Sequence, residues 1–163
     1  MQTGIAFEAP NRTIERDARN SGARPSLWTV AVMREGPMLR FESTAFPAAK
    51  QEDPETNPDM VAKAVADWLS VKLNERGVHT SGVFSEDFGW CVGVPTKPRE
   101  WYVACGRVEG RESAFEVTYF SIGSLFSYFF GRNRAAQNLN RLHHTVKEIF
   151  SSNPSISRLS EEA

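Results

Sequence analysis

The run Ser85-Glu86-Asp87-Phe88-Gly89-Trp90-Cys91 brings two adjacent carboxylates and a thiol into one short stretch. At a strand end, Glu86 and Asp87 could act as a general base or supply oxygen ligands to a cation, because loop carboxylates can be held near a reacting group. The same residues also suit a turn or bulge. In that reading a carboxylate accepts backbone N–H groups, Gly89 takes an unusual backbone angle, and Phe88 and Trp90 anchor the loop. Neighbours on an extended chain point to opposite faces, so Glu86 and Asp87 form an acid/base dyad only if the chain turns between them. The structural reading is preferred.

Cys91 and Cys105 are the two cysteines, and they fall on neighbouring strands of one expected hairpin. Register decides whether they meet. Pairing Val92 with Val103 and Val94 with Trp101 aligns the apolar residues and sends the two thiols to opposite faces. It also gathers Cys91, Gly93, Ala104 and Gly106 on one face, where small side chains would let a helix approach. Without a CxxC motif or an evident activating base, both cysteines read as inert core residues. Spacing permits a nucleophilic pairing of Cys105 with His79, but nothing selects it. His143 and His144 are adjacent on a helix, about 100° apart around its axis, so they do not point at one metal. No metal or cofactor is expected.

Arg132, Arg134, Arg141 and Lys147 make the last helix locally basic, and with Tyr128 nearby they could contact phosphates. Glu148 dilutes that patch, and no helix-turn-helix, zinc finger or RNA-binding aromatic motif accompanies it. A solvated face is the simpler reading. The dense segment from Phe126 to Phe130 and the loops around Trp90 and Trp101 are the best candidates for contact surfaces, since aromatic residues and Arg are enriched at interface centres. No GxxxxGK[ST] loop or GxGxxG turn occurs.

The elements that would carry these residues follow from periodicity. Trp28, Val30 and Val32 alternate before Arg34-Glu35-Gly36-Pro37, which predicts a hairpin with Val32 opposite Leu39 and Val30 opposite Phe41. A helix is expected from Asn57, with Pro58 at its first position, Asp59 at its positive end, and Val61, Val65, Leu69 and Leu73 on one stripe widened by Trp68. Gly77 ends it, and Val78 folds back onto its last turn. Four strands follow as a meander, around Ser81–Phe84, Trp90–Val94, Trp101–Arg107 and Ala114–Phe120, with Gly106 opposite Phe115. Gly123 to Gly131 suits one or two helical turns under the sheet. The last helix runs from Arg132 to about Ser151 with Ala135, Leu139, Leu142, Val146, Ile149 and Phe150 on one stripe, and Asn153-Pro154 stops it.

The fold class is therefore α+β: an antiparallel sheet of about five to six strands in the order ββ-α-ββββ-α, packed against two main helices. Residues 1–26 read as a flexible leader, 27–152 as one domain and 153–163 as a fraying tail. A chain of 163 residues can bury a core without metal or disulfide staples. Nineteen Lys and Arg nearly cancel twenty Asp and Glu, which disfavours bulk attraction to nucleic acid. No apolar run is long enough to span a bilayer, and neither a secretory signal nor a disulfide framework is evident, so a cytoplasmic location is expected. Missing catalytic constellations, balanced charge and surplus aromatics favour a non-enzymatic binding or regulatory module that engages a protein or small molecule. The first alternative is a small hydrolase-like enzyme using Glu86 or Asp87 with His79 or a cysteine. The second is phosphate or nucleic-acid contact through the basic last helix.

Overall fold

The computed structural model describes residues 30–46, 62–86, 89–124 and 131–162, with residues 30–34 and 123–124 described by their backbone only. Among these, the order of elements is β1 (Val30–Arg34), β2 (Met38–Glu42), α1 (Lys63–Glu75), β3 (Gly82–Glu86), β4 (Gly89–Val94), β5 (Glu100–Arg107), β6 (Ala114–Ser124), α2 (Arg132–Ser151) and β7 (Ser157–Glu162). The chain is α+β. Seven antiparallel strands form one sheet in the order β3-β4-β5-β6-β2-β7, with β1 also on β6, and two helices pack against it.

The middle of the chain is the expected meander. Val92 pairs with Val103 and Val94 with Trp101, so Cys91 lies opposite Ala104 and Cys105 opposite Trp90. The thiols thus point to opposite faces. Phe115, Val117 and Tyr119 are buried on β6, while Glu116 and Thr118 alternate with them on the wetter side.

Both helices bury the stripes their spacing predicts. Val65, Leu69 and Leu73 are buried on α1, and Ala135, Leu139, Leu142, Val146, Ile149 and Phe150 on α2. At the end of α1, Gly77 adopts φ +78° and donates to the Asn74 carbonyl, while Val78 N–H reaches back to Leu73. That pair of bonds satisfies carbonyls the helix itself leaves open. The start differs from expectation: the helix opens at Lys63, because Ala62 is extended at φ −162° and supplies no side-chain cap. Asn57, Pro58, Asp59 and Val61 lie outside the described residues.

Several expectations are corrected. Strands β1 and β2 do not form a hairpin; both lie along β6, with Val30 to Arg34 facing Ser124 to Phe120 and Leu39 to Glu42 facing Val117 to Ala114. The Arg34–Pro37 segment is a bulge in one interrupted strand, with Gly36 at φ +79° and Glu35 N–H donating to the Tyr119 carbonyl. An eleven-residue β6 is long enough to host both segments. Gly106 faces Glu116, one position away from the expected Phe115. The helices cover not the small-residue face but its opposite, which carries Trp90, Val92, Val94, Trp101, Val103 and Cys105, because large apolar groups lose more by staying wet. On the small face, the Phe84 ring approaches Gly93 and meets Tyr102 edge-on with centroids 5.2 Å apart. Residues 157–162, expected to fray, form β7 against β2.

The aromatic centre of the core joins the sheet to both helices. Phe41 stacks on Phe115 at 5.5 Å and meets Phe150 at 4.6 Å with the rings tilted by 33°, and Phe150 in turn meets Trp68 of α1 at 5.5 Å. Fully burying each such ring contributes roughly 1.5–3 kcal/mol.

Candidate functional site

Among the described residues, the structure brings Glu86 near Cys91 and sets His79 at the far end of β3 from Glu86. Glu86 ends β3 and is exposed, whereas His79 precedes the same strand at its other end. Cys91 lies close enough to Glu86 for that charge to add to burial in pushing its thiol up to about 12. A carboxylate beside a thiol opposes thiolate formation, the reverse of nucleophile activation. Cys105 is also shifted upward, first by burial. Trp90 and Trp101 are 6% and 0% exposed, core residues of the helix-facing side rather than loop surface. Arg132 and Arg134 are exposed at the start of α2, about 200° apart around its axis, and Arg141 shares a stripe with Arg134 alone. Asp87, Phe126 and Tyr128 lie outside the described residues. Among the described residues, no three His, Cys, Asp or Glu side chains gather as metal ligands, and no helix is long and apolar enough to cross a membrane.

Two polar clusters link elements across the core. Glu35, set in the β1–β2 bulge, accepts from Arg99 Nη1 at 2.6 Å and from Ser121 Oγ at 2.5 Å. In the second, the Tyr119 hydroxyl lies 3.0 Å from His143 Nδ1, His143 Nε2 lies 3.4 Å from Glu161, and Lys147 donates to Glu161 at 2.6 Å. This has the order of a phenol–imidazole–carboxylate relay. Tyr119 is fully buried and its phenol is shifted well upward by desolvation, so no substrate reaches it and the cluster pins α2 and β7 to the sheet.

A different constellation forms where β2 ends, β7 begins and the β5–β6 turn closes. Arg40, Glu42, Arg111, Arg158, Ser160 and Glu162, with Val108 and Ala114, line an open groove of about 310 Å³. Arg40 bonds Glu162 at 2.8 Å through Nη1, and its Nε lies 3.5 Å from Glu116. That second contact is an ion pair by distance only, for the buried Nε–H has no hydrogen-bond acceptor. Across the groove, Arg158 and Arg111 approach the same Glu42 oxygen at 3.2 and 3.7 Å.

Local backbone builds this corner. The β2–β7 ladder steps from Arg40↔Ser160 to Glu42↔Ser157, a bulge that leaves Arg158 in the left-handed region at φ +51°. Among the described residues it is the one non-glycine with positive φ, a conformation that costs about 1–3 kcal/mol. Sequence reasoning missed the groove. Arg40 and Glu42 do alternate with Leu39 and Phe41, which marks them as one wetter face, but Arg111 sits in a turn and Arg158 in a stretch without apolar rhythm. Only the strand order β6-β2-β7 gathers them.

Three guanidinium and three carboxylate groups leave the region neutral as a whole but locally uneven. Two arginines share Glu42, whereas Arg40 is shared by two glutamates. Such an arrangement can hold charged groups by hydrogen bonding. Comparison with protein-family models, with curated proteins and with solved structures finds no match.

Proposed function

We propose that this chain is a non-enzymatic binding module that engages a small ligand or a protein, with the groove between β2, β7 and the β5–β6 turn as its contact site. The observation that carries this reading is the convergence of Arg40, Arg111 and Arg158 on one open cavity beside a bulged strand and a positive-φ residue. Bulges and strained residues recur where a side chain must be aimed at a ligand. The upward-shifted thiols and the separation of Glu86 from His79 favour binding over hydrolysis. Because Trp90 and Trp101 are core residues, the contact role assigned to aromatic loops passes to this charged groove. Two free, buried cysteines are compatible with a reducing cytoplasm, which completes the proposal.

The test compares the wild-type chain with an Arg111→Glu/Arg158→Glu variant, both positions being exposed, in a small-molecule screen read by amide chemical shifts and in capture from the native cell. A ligand or partner lost in the variant supports the module. Partners retained undiminished by the variant, or turnover in a broad hydrolase screen abolished by Glu86→Ala, would sink it.

A further inference from the structure

We infer that the Arg111–Arg158 corner of the groove is a site for a dianionic phosphoryl group carried on a small molecule, and that Glu42 occupies this site in its absence. The inference deepens the binding-module reading and rests on it. Arg158 Nη1 and Arg111 Nη1 approach one oxygen of Glu42 at 3.2 and 3.7 Å, so a single carboxylate stands between two guanidinium groups. That arrangement leaves one positive charge unmatched. A phosphate monoester carries close to two negative charges at neutral pH and several acceptor oxygens, so it matches both guanidinium groups where a carboxylate matches one.

The surroundings fit the same group. Ser160 lines the groove with a hydroxyl that can donate to a phosphoryl oxygen, and Arg40 contributes a third guanidinium group to the same lining. Val108 and Ala114 give one apolar wall, and about 310 Å³ is at the low end for small-molecule sites, so the phosphorylated body is small. Glu42 and the phosphoryl group compete for the same guanidinium groups. Entry of the ligand therefore requires the Glu42 side chain to turn aside, and binding weakens as salt screens the exposed arginines.

The experiment titrates phenyl phosphate and, as the carboxylate arm, benzoate into the full chain at low salt, following backbone amides. For phenyl phosphate, saturable shifts at Glu42, Arg111, Arg158 and Ser160 are expected. Glu42→Gln should tighten binding, and Arg111→Gln/Arg158→Gln should weaken it roughly tenfold or more. Benzoate binding as tightly as phenyl phosphate, an unchanged or weakened affinity in Glu42→Gln, or equal binding by the double arginine variant would each overturn the assignment. If both probes fail in Glu42→Gln while charge reversal still removes a captured partner, the phosphoryl inference falls and the binding-module reading stands.

Discussion

Gly89 lies directly beneath the carbonyl of Cys105, so closely that a β-carbon on Gly89 would stand 2.6 Å from that oxygen. Its φ is +150°, where L side chains are strained. Strand β4 can begin there only because the residue has no side chain, and Trp90 is thereby aimed into the core. Gly89→Ala collides with backbone, which cannot swing away. Its expected cost is about 2–4 kcal/mol of unfolding free energy. A urea titration checks this, and a loss below 0.5 kcal/mol would mean that β4 starts elsewhere in solution.

Alkaline pH should destabilise the fold through its thiols. Unfolded cysteine titrates near 8.5. Burial, with the Glu86 charge as a second cause, pushes Cys91 up to about 12, and Cys105 is also raised. Between roughly pH 9 and pH 12 the unfolded chain therefore binds fewer protons than the native one, and stability falls as pH rises, by up to about 1.4 kcal/mol per unit for each thiol. Tyr102, likewise pushed up to about 12, steepens the decline above its ordinary value of 10.0. Urea melts at pH 8, 9 and 10 measure the slope, which Cys91→Ala should make shallower. A thiol reagent that labels either cysteine in the native state as fast as in urea would contradict the burial argument.

The parts of this fold that were legible in sequence are those held by local periodicity. The stripe from Ala135 to Phe150 and the pairing of Val92 with Val103 follow from apolar spacing, and both are present. What was illegible depends on charge or distance along the chain. Strand β7 carries Leu159 as its one large apolar residue and is held by ion pairs from Glu162 to Arg40 and from Glu161 to Lys147, which leave no period of two in the sequence. Likewise Arg34-Glu35-Gly36-Pro37 has the composition of a reverse turn. Its actual role as a bulge is set by Arg99 and Ser121, which Glu35 meets only in the folded chain.

That ion pair gives a third prediction. The Arg99 side chain is 4% exposed and that of Glu35 is 26% exposed, so Glu35→Ala takes from a buried cation the carboxylate it donates to at 2.6 Å. Losing one partner of a partly buried, charge-assisted hydrogen bond costs about 1.5–3 kcal/mol. An apolar replacement of both, Glu35→Leu with Arg99→Met, should recover most of that loss, since neither charge is then left buried. Chemical denaturation of the two single variants and the double variant tests the coupling. If the double variant loses as much as the two singles summed, the residues act independently and the assignment of the bulge to this pair is wrong.

The Tyr119 hydroxyl gives a prediction about dynamics as well as stability. His143 Nε2 faces the acceptor-only carboxylate of Glu161, and Nδ1 shares a hydrogen bond of 3.0 Å with the buried phenol. Tyr119→Phe keeps the edge-on ring contact, with centroids 5.5 Å apart, but removes the hydrogen-bond partner of Nδ1. The expected loss is about 1–2 kcal/mol. His143 is also the link through which β6 holds Glu161, and β7 is an edge strand, so the variant should open β7 more often than the central strands. Amide exchange would then quicken at Ser160 and Glu161 by more than at Val92 and Val103. Equal quickening at all four amides would mean that the hydroxyl supports the core as a whole and that β7 is held by the Lys147 and Arg40 ion pairs alone.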